Sequence, residues 1–184
     1  MNMKKIFVGI ILIFFNINNL FADDRTKTLD RLFNDLKINN TNLSSQTEQK
    51  IWKIWSTHPS DNNLTSLLSI GSDLVYNNEF SKAIEIFNKV IEIDPNWAEA
   101  WNKRATIFYM IGEFEKSQKD IDQVLKLEKR HFGALAGQGL VNIKLKNYEK
   151  AIQSYKNVME IYPSMHSPKI MINHINELIK KQSI

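Results

Sequence analysis

Between Glu79 and Ala105, apolar residues fall at Phe80, Ala83, Phe87 and Val90, three and four positions apart, so they share one face of a helix. Pro95 ends that helix, and a pair of tryptophans, Trp97 and Trp101, follows it. The same arrangement returns later. EFSKAIEIFNKVIEIDP, residues 79–95, aligns with NYEKAIQSYKNVMEIYP, residues 147–163, setting Ala83, Phe87 and Pro95 against Ala151, Tyr155 and Pro163. Each pair is 68 residues apart, twice 34, and a middle copy lies between them, carrying Trp101, Ala105, Phe108, Phe114, Ser117, Ile121 and Val124 at the matching positions. The three copies are residues 64–97, 98–131 and 132–165 within a segment from 61 to 165.

Each copy reads as two helices. Gly71, Ala105 and Gly139 sit where the two helices cross, with Ala83, Ser117 and Ala151 opposite. Phe87, Ile121 and Tyr155 fill the space beside the crossing. Asn78 and Gly112 mark turns that need a left-handed backbone. One such hairpin cannot bury its apolar face alone, so the copies must stack. Outside them, residues 23–60 predict a helical hairpin. Its first helix spans Thr28 to Leu36, residues 37–42 form a loop, and the second helix spans Ser45 to Ser56 with Ile51, Trp52, Ile54 and Trp55. This hairpin is expected to close the N-terminal end of the stack, with Trp52 and Trp55 against copy one; a ligand-holding aromatic shelf is the alternative. Residues 166–184 predict a capping helix that starts at Ser167 and Pro168 and docks through Met171, Ile175 and Leu178.

Period 34, small residues at positions 8 and 20 and proline at 32 resemble the tetratricopeptide repeat (TPR) family from Leu64 to about Met165. The segments IWKIW, AEAWNKRAT and EKRHFGALAGQG are similar to those of small exported bacterial TPR proteins. The resemblance implies an all-α, TPR-type helical-hairpin solenoid with an N-terminal helical hairpin and a C-terminal capping helix. It implies an interaction scaffold with a protein or peptide partner and no defined biochemical activity. By the family's register the concave groove is lined by Thr65, Leu68, Ser72 and Val75; by Glu99, Asn102, Thr106 and Tyr109; and by Gly133, Ala136, Leu140 and Ile143. Lys103 and Tyr76 lie at its edge, and Gly137 on its surface. Leu68 and Ser72 stand where a lysine and an asparagine would clamp a partner's C-terminal carboxylate, so that activity is not expected. Copy two departs from the pattern with Lys129 in place of proline, which predicts a less rigid junction with copy three.

Charge and composition narrow the function. Lys4 and Lys5, the apolar run Ile6 to Phe15 and the small residue Ala22 read as a signal peptide, residues 1–22; ten apolar residues fall short of the about 20 needed to span a bilayer. Cleavage takes the charge from +4 to +2, too balanced for a nucleic-acid binder, and predicts a periplasmic protein without membrane insertion. Cys is absent, and His58, His131, His166 and His174 occur without ligand spacing, so no metal site, cofactor or catalytic constellation is predicted. The reading is a non-enzymatic periplasmic adaptor. The alternative is a structural subunit of an envelope assembly, favoured by six acids against two lysines in residues 61–95 and seven lysines against three acids in residues 132–184. Two features stay open. Arg104 either meets Asp120 or reaches solvent. Gly133 and Gly137 either pack against copy two's second helix or leave room for a partner's backbone.

Overall fold

The computed structural model describes residues 24–38 and 41–182; the expected signal peptide lies outside them. Among the described residues the regular structure is all helical. Helix α1 spans residues 24–37 and α2 Thr41–Trp55. The three repeats follow as α3 (Asn62–Tyr76) with α4 (Phe80–Ile93), α5 (Ala98–Met110) with α6 (Phe114–Leu127), and α7 (Phe132–Lys144) with α8 (Tyr148–Ile161). Helix α9, Ser167–Gln182, closes the chain. The second helix therefore starts at Thr41, four residues before the expected Ser45.

The hairpins close on complementary bulk. A Cβ on Gly71 would lie 2.5 Å from the Phe87 ring, and one on Gly139 would lie 2.6 Å from Tyr155. Where the second helix offers the smaller Ile121, the crossing residue is Ala105, and the Ser117 hydroxyl donates to its carbonyl at 2.8 Å. Glycine appears opposite a ring and alanine opposite an aliphatic chain. Each intra-repeat turn ends with one left-handed residue, Asn78 (φ 60), Gly112 (φ 82) or Lys146 (φ 59). The amide after each, at Glu79, Glu113 and Asn147, closes back on Leu74, Phe108 and Asn142 carbonyls at 2.8 Å. Lys146 bears the conformation without the glycine or asparagine that would have announced it.

The junction at Lys129 carries side-chain bonds of its own. The Glu128 carboxylate accepts from the Arg130 amide at 3.0 Å, as Asp94 accepts from Asn96 in the preceding junction. The Arg130 guanidinium returns to Glu128 and reaches Asp30 at 2.6 Å, and His131 Nδ1 caps α7 by accepting from the Ala134 amide. These side-chain bonds stand at the junction where proline is missing.

The N-terminal hairpin is elsewhere than expected. Leu29, Leu32, Phe33, Leu36, Ile51 and Trp55 form one core with Phe132, Leu135, Val158 and Tyr162 of the third repeat. The hairpin lies along the edge of the stack made by the inter-repeat loops: Trp97 donates to the Trp55 carbonyl at 2.8 Å, and Tyr162 donates to Glu48 at 3.0 Å. The outer face of the first repeat is left uncovered by the hairpin and is polar at two positions that later repeats bury, with Ile70 exposed beside them. Ser66 and Asp73 stand exposed where α5 and α7 bury Ala100 and Ile107, and Ala134 and Val141. At the other end, Ile175 is buried against Ala151 and Tyr155, with Met171, Ile172 and Ile179 packed around it.

Candidate partner-binding groove

The first helices of the repeats, α3, α5 and α7, present the face on which the groove was expected. Between α5 and α7 it sinks into a depression of about 80 Å³, floored by Ala105, Ser117, Ile121 and Ala134 and rimmed by Asn102, Thr106, Tyr109, Gly133, Gly137 and Leu140. All six rim residues were expected in the groove. The floor was read only as packing at Ala105, Ser117 and Ile121, and Ala134 carried no signal of its own. The floor is apolar apart from Ser117, whose hydroxyl is engaged by Ala105. Thr106 is exposed on the rim.

The two glycines part company here. A Cβ on Gly137 would meet only Ile121 Cδ1 at 3.6 Å, an ordinary contact. A Cβ on Gly133 would lie 2.6 Å from the Trp52 indole. The neighbour at Gly133 is therefore the N-terminal hairpin, not copy two's second helix. Trp52 lies against Gly133, and Trp52 and Trp55 serve copy three rather than copy one.

Beneath Trp55 lies a buried polar pair. Glu99 and His131 are 1% and 0% exposed, and their carboxylate oxygen and Nε2 stand 3.1 Å apart. Because His131 Nδ1 accepts from the Ala134 amide, the ring proton sits on Nε2 and is donated to Glu99. Asn102 donates to the same oxygen at 3.2 Å, and the Lys103 ammonium lies 3.4 Å from the other. Trp55 stacks on the imidazole at 4.0 Å. Glu99 is thus removed from the expected groove surface by the hairpin that covers it, and Lys103 is turned toward it.

The first repeat contributes less than its register suggests. Leu68, 2% exposed, packs with Leu64, Ala83 and Phe87 in the core of the first repeat. Val75 packs on the same cluster, the Ser72 hydroxyl donates to the Leu68 carbonyl, and Thr65 Oγ1 accepts from the His58 amide. Ala136 and Ile143 are partly buried against the core shared with α9. At the loop edge, burial and the hydrogen bond to Glu48 push the Tyr162 hydroxyl up to about 12. No group of three or more His, Cys, Asp or Glu that could hold a metal occurs among the described residues. Among them, no helix is long and apolar enough to cross a membrane.

A family profile described as Tetratricopeptide repeat matches residues 64–96 and 133–165. A TPR repeat-containing protein of Rhizobium etli is 28% identical over 150 residues, covering 81% of this chain and 73% of the relative. The small glutamine-rich tetratricopeptide repeat-containing protein 2 of Mycosarcoma maydis is 27% identical over 126 residues; the match covers 67% of this chain but only 33% of that longer protein. Among solved structures, the first TPR of Spaghetti bound to the HSP90 peptide SRMEEVD superposes with a TM-score of 0.62 at 19% identity, covering 64% of this chain and 93% of that one. That likeness is one of fold.

Proposed function

This chain belongs to the tetratricopeptide repeat family, and on that footing we propose that it is a non-enzymatic adaptor that holds a protein or peptide segment in the depression between α5 and α7. The observation that carries this reading is the open surface at Gly137. A helix interior tolerates glycine at a loss of up to about 1 kcal/mol relative to alanine, yet nothing from the protein fills the space its missing side chain leaves. A partner's backbone fits there, between apolar Leu140 and Tyr109 and the hydrogen-bonding Asn102 and Thr106.

The Spaghetti repeat domain with its HSP90 peptide supports peptide binding on this fold. A clamp for a terminal carboxylate is not part of the proposal, since Leu68 is core and Ser72 bonds its own helix. The site of action in this reading is the periplasm, with a mature chain beginning at Asp23. N-terminal sequencing of the protein from a periplasmic fraction tests that part, and a full-length chain in membranes contradicts it.

Photo-crosslinking in intact cells from Thr106, with Lys89 as an outer-face control, tests the groove. A partner captured from Thr106 and not from Lys89 supports it; capture from Lys89 alone favours the structural-subunit reading. That second reading rests on Ile70, 48% exposed on the free face of α3, and on the opposite charge of the two ends.

A further inference from the structure

The opposite face of α7 carries a second depression that the groove leaves unused. At the junction of repeats one and two, Arg104 bridges α4 and α6. Its Nε and Nη2 donate to the two Asp120 oxygens at 2.7 Å, and Nη1 donates to Asn88 Oδ1 at 2.6 Å. The guanidinium also lies over the Phe108 ring at 5.6 Å. One period of 34 later, Gln138 stands for Arg104, Ser154 for Asp120, Asp122 for Asn88 and Asn142 for Phe108. The smaller set leaves a cleft of about 360 Å³ between α6, α7 and α8.

The inner atoms of this cleft are mostly acceptors. Asn142, 5% exposed, gives its amide hydrogens to Gln118 Oε1 at 3.1 Å and to the Gln138 carbonyl at 2.8 Å, and its Oδ1 has no partner among the described residues. Ser154, 3% exposed, has its one hydroxyl hydrogen within 2.9 Å reach of both Gln138 Oε1 and the Lys150 carbonyl, and keeps its oxygen lone pairs. Asp122 accepts from Gln118 on one oxygen and forms no ion pair among the described residues. One carboxylate thus remains at this junction, as at the first, but the arginine is gone. Gln138 Nε2 is an inner donor that a guest must sit beside. The positive charge at the rim is Lys150, exposed and without the carboxylate that Lys82 and Lys116 find in Glu79 and Glu113, since Asn147 takes that place.

We propose that this cleft receives the guanidinium of an arginine side chain from a partner chain, seated on Asp122, Asn142 Oδ1 and Ser154 as Arg104 is seated on Asp120 and Asn88. Guanidinium is a planar fork of donors with no acceptor, which suits an acceptor floor better than a neutral or anionic guest does.

The test titrates acetyl-Gly-Arg-Gly-amide, and its citrulline and lysine counterparts, into the full chain while the side-chain amide signals of Gln138 and Asn142 are followed by NMR. The arginine peptide should shift both signals, and the citrulline peptide should not. Asp122→Asn, an exposed change that leaves packing intact, should weaken binding about fivefold. Lys150→Met should strengthen it by removing the like charge. The pair Gln138→Arg with Ser154→Asp copies the first junction into the second; it should keep the melting temperature and abolish binding. Equal shifts from the citrulline peptide, unchanged binding by Asp122→Asn, or weakening by Lys150→Met would each overturn the proposal.

Discussion

The Trp52 indole occupies the volume that a side chain on Gly133 would need, 2.6 Å from the position of its Cβ. This contact ties the N-terminal hairpin to the third repeat, and it makes the two groove glycines unequal. Gly133→Ala should destabilise, because displacing a packed ring typically costs about 1–3 kcal/mol, more than the up to about 1 kcal/mol an alanine returns to the helix. Gly137→Ala should hold or raise the melting temperature. Equal thermal melts for the two variants would contradict the placement of Trp52.

Arg104 and Asp120 form a two-point ion pair at 2.7 Å, with Asp120 buried. Arg104→Ala strands that carboxylate and should destabilise by about 3 kcal/mol. The double variant with Asp120→Ala should cost less than the sum of the two single changes, by about 0.5–3 kcal/mol. Strict additivity in denaturant melts would mean that the pair contributes nothing.

Ala151 is fully buried at the crossing of α7 and α8, whereas Glu149, two residues earlier, is exposed. Ala151→Trp should unfold the third repeat, an extreme of the overpacking that ordinarily costs about 1–3 kcal/mol. Glu149→Trp should be nearly silent. Since the hairpin shares its core with this repeat, loss of Trp52 and Trp55 near-ultraviolet signals should accompany Ala151→Trp, and their persistence would show that the hairpin docks elsewhere.

Tyr162 offers a pH test of the same docking. Its hydroxyl is held neutral up to about 12 by burial and by Glu48, while in the unfolded chain it ionises near its ordinary value of 10. The contribution is therefore complete below pH 10 and is lost as pH rises toward 12. Tyr162→Phe should lower stability at neutral pH and flatten part of that alkaline decline. An alkaline decline of unchanged size in the variant would contradict the assignment.

The repeat register was legible because it is written in local steric demands that recur every 34 residues: a small residue at each crossing and bulk opposite it. The same register made Asp120 the nearest candidate for Arg104 but left a solvent-reaching arginine equally open; the two hydrogen bonds in the fold decide for the pair. The hairpin's seat was not legible. Its contacts join residues as distant as Asp30 and Arg130, and no periodicity relates the two. Two errors in the groove have separate physical causes. Glu99 has an open register position, but the hairpin covers it. Leu68 has one too, but the apolar cluster of repeat one draws it into the core. The left-handed Lys146 was hidden because its side chain carries none of the preference for that conformation.

Gly137→Leu tests the central claim most directly. A Cβ there meets only Ile121 Cδ1 at 3.6 Å, and the rest of a leucine side chain is placed to occupy the depression of about 80 Å³. Partner capture from Thr106 and the thermal melt of the same protein are measured together. The adaptor reading predicts an unchanged melt with capture abolished. Capture that persists in the folded variant, or unfolding caused by the substitution, would contradict it.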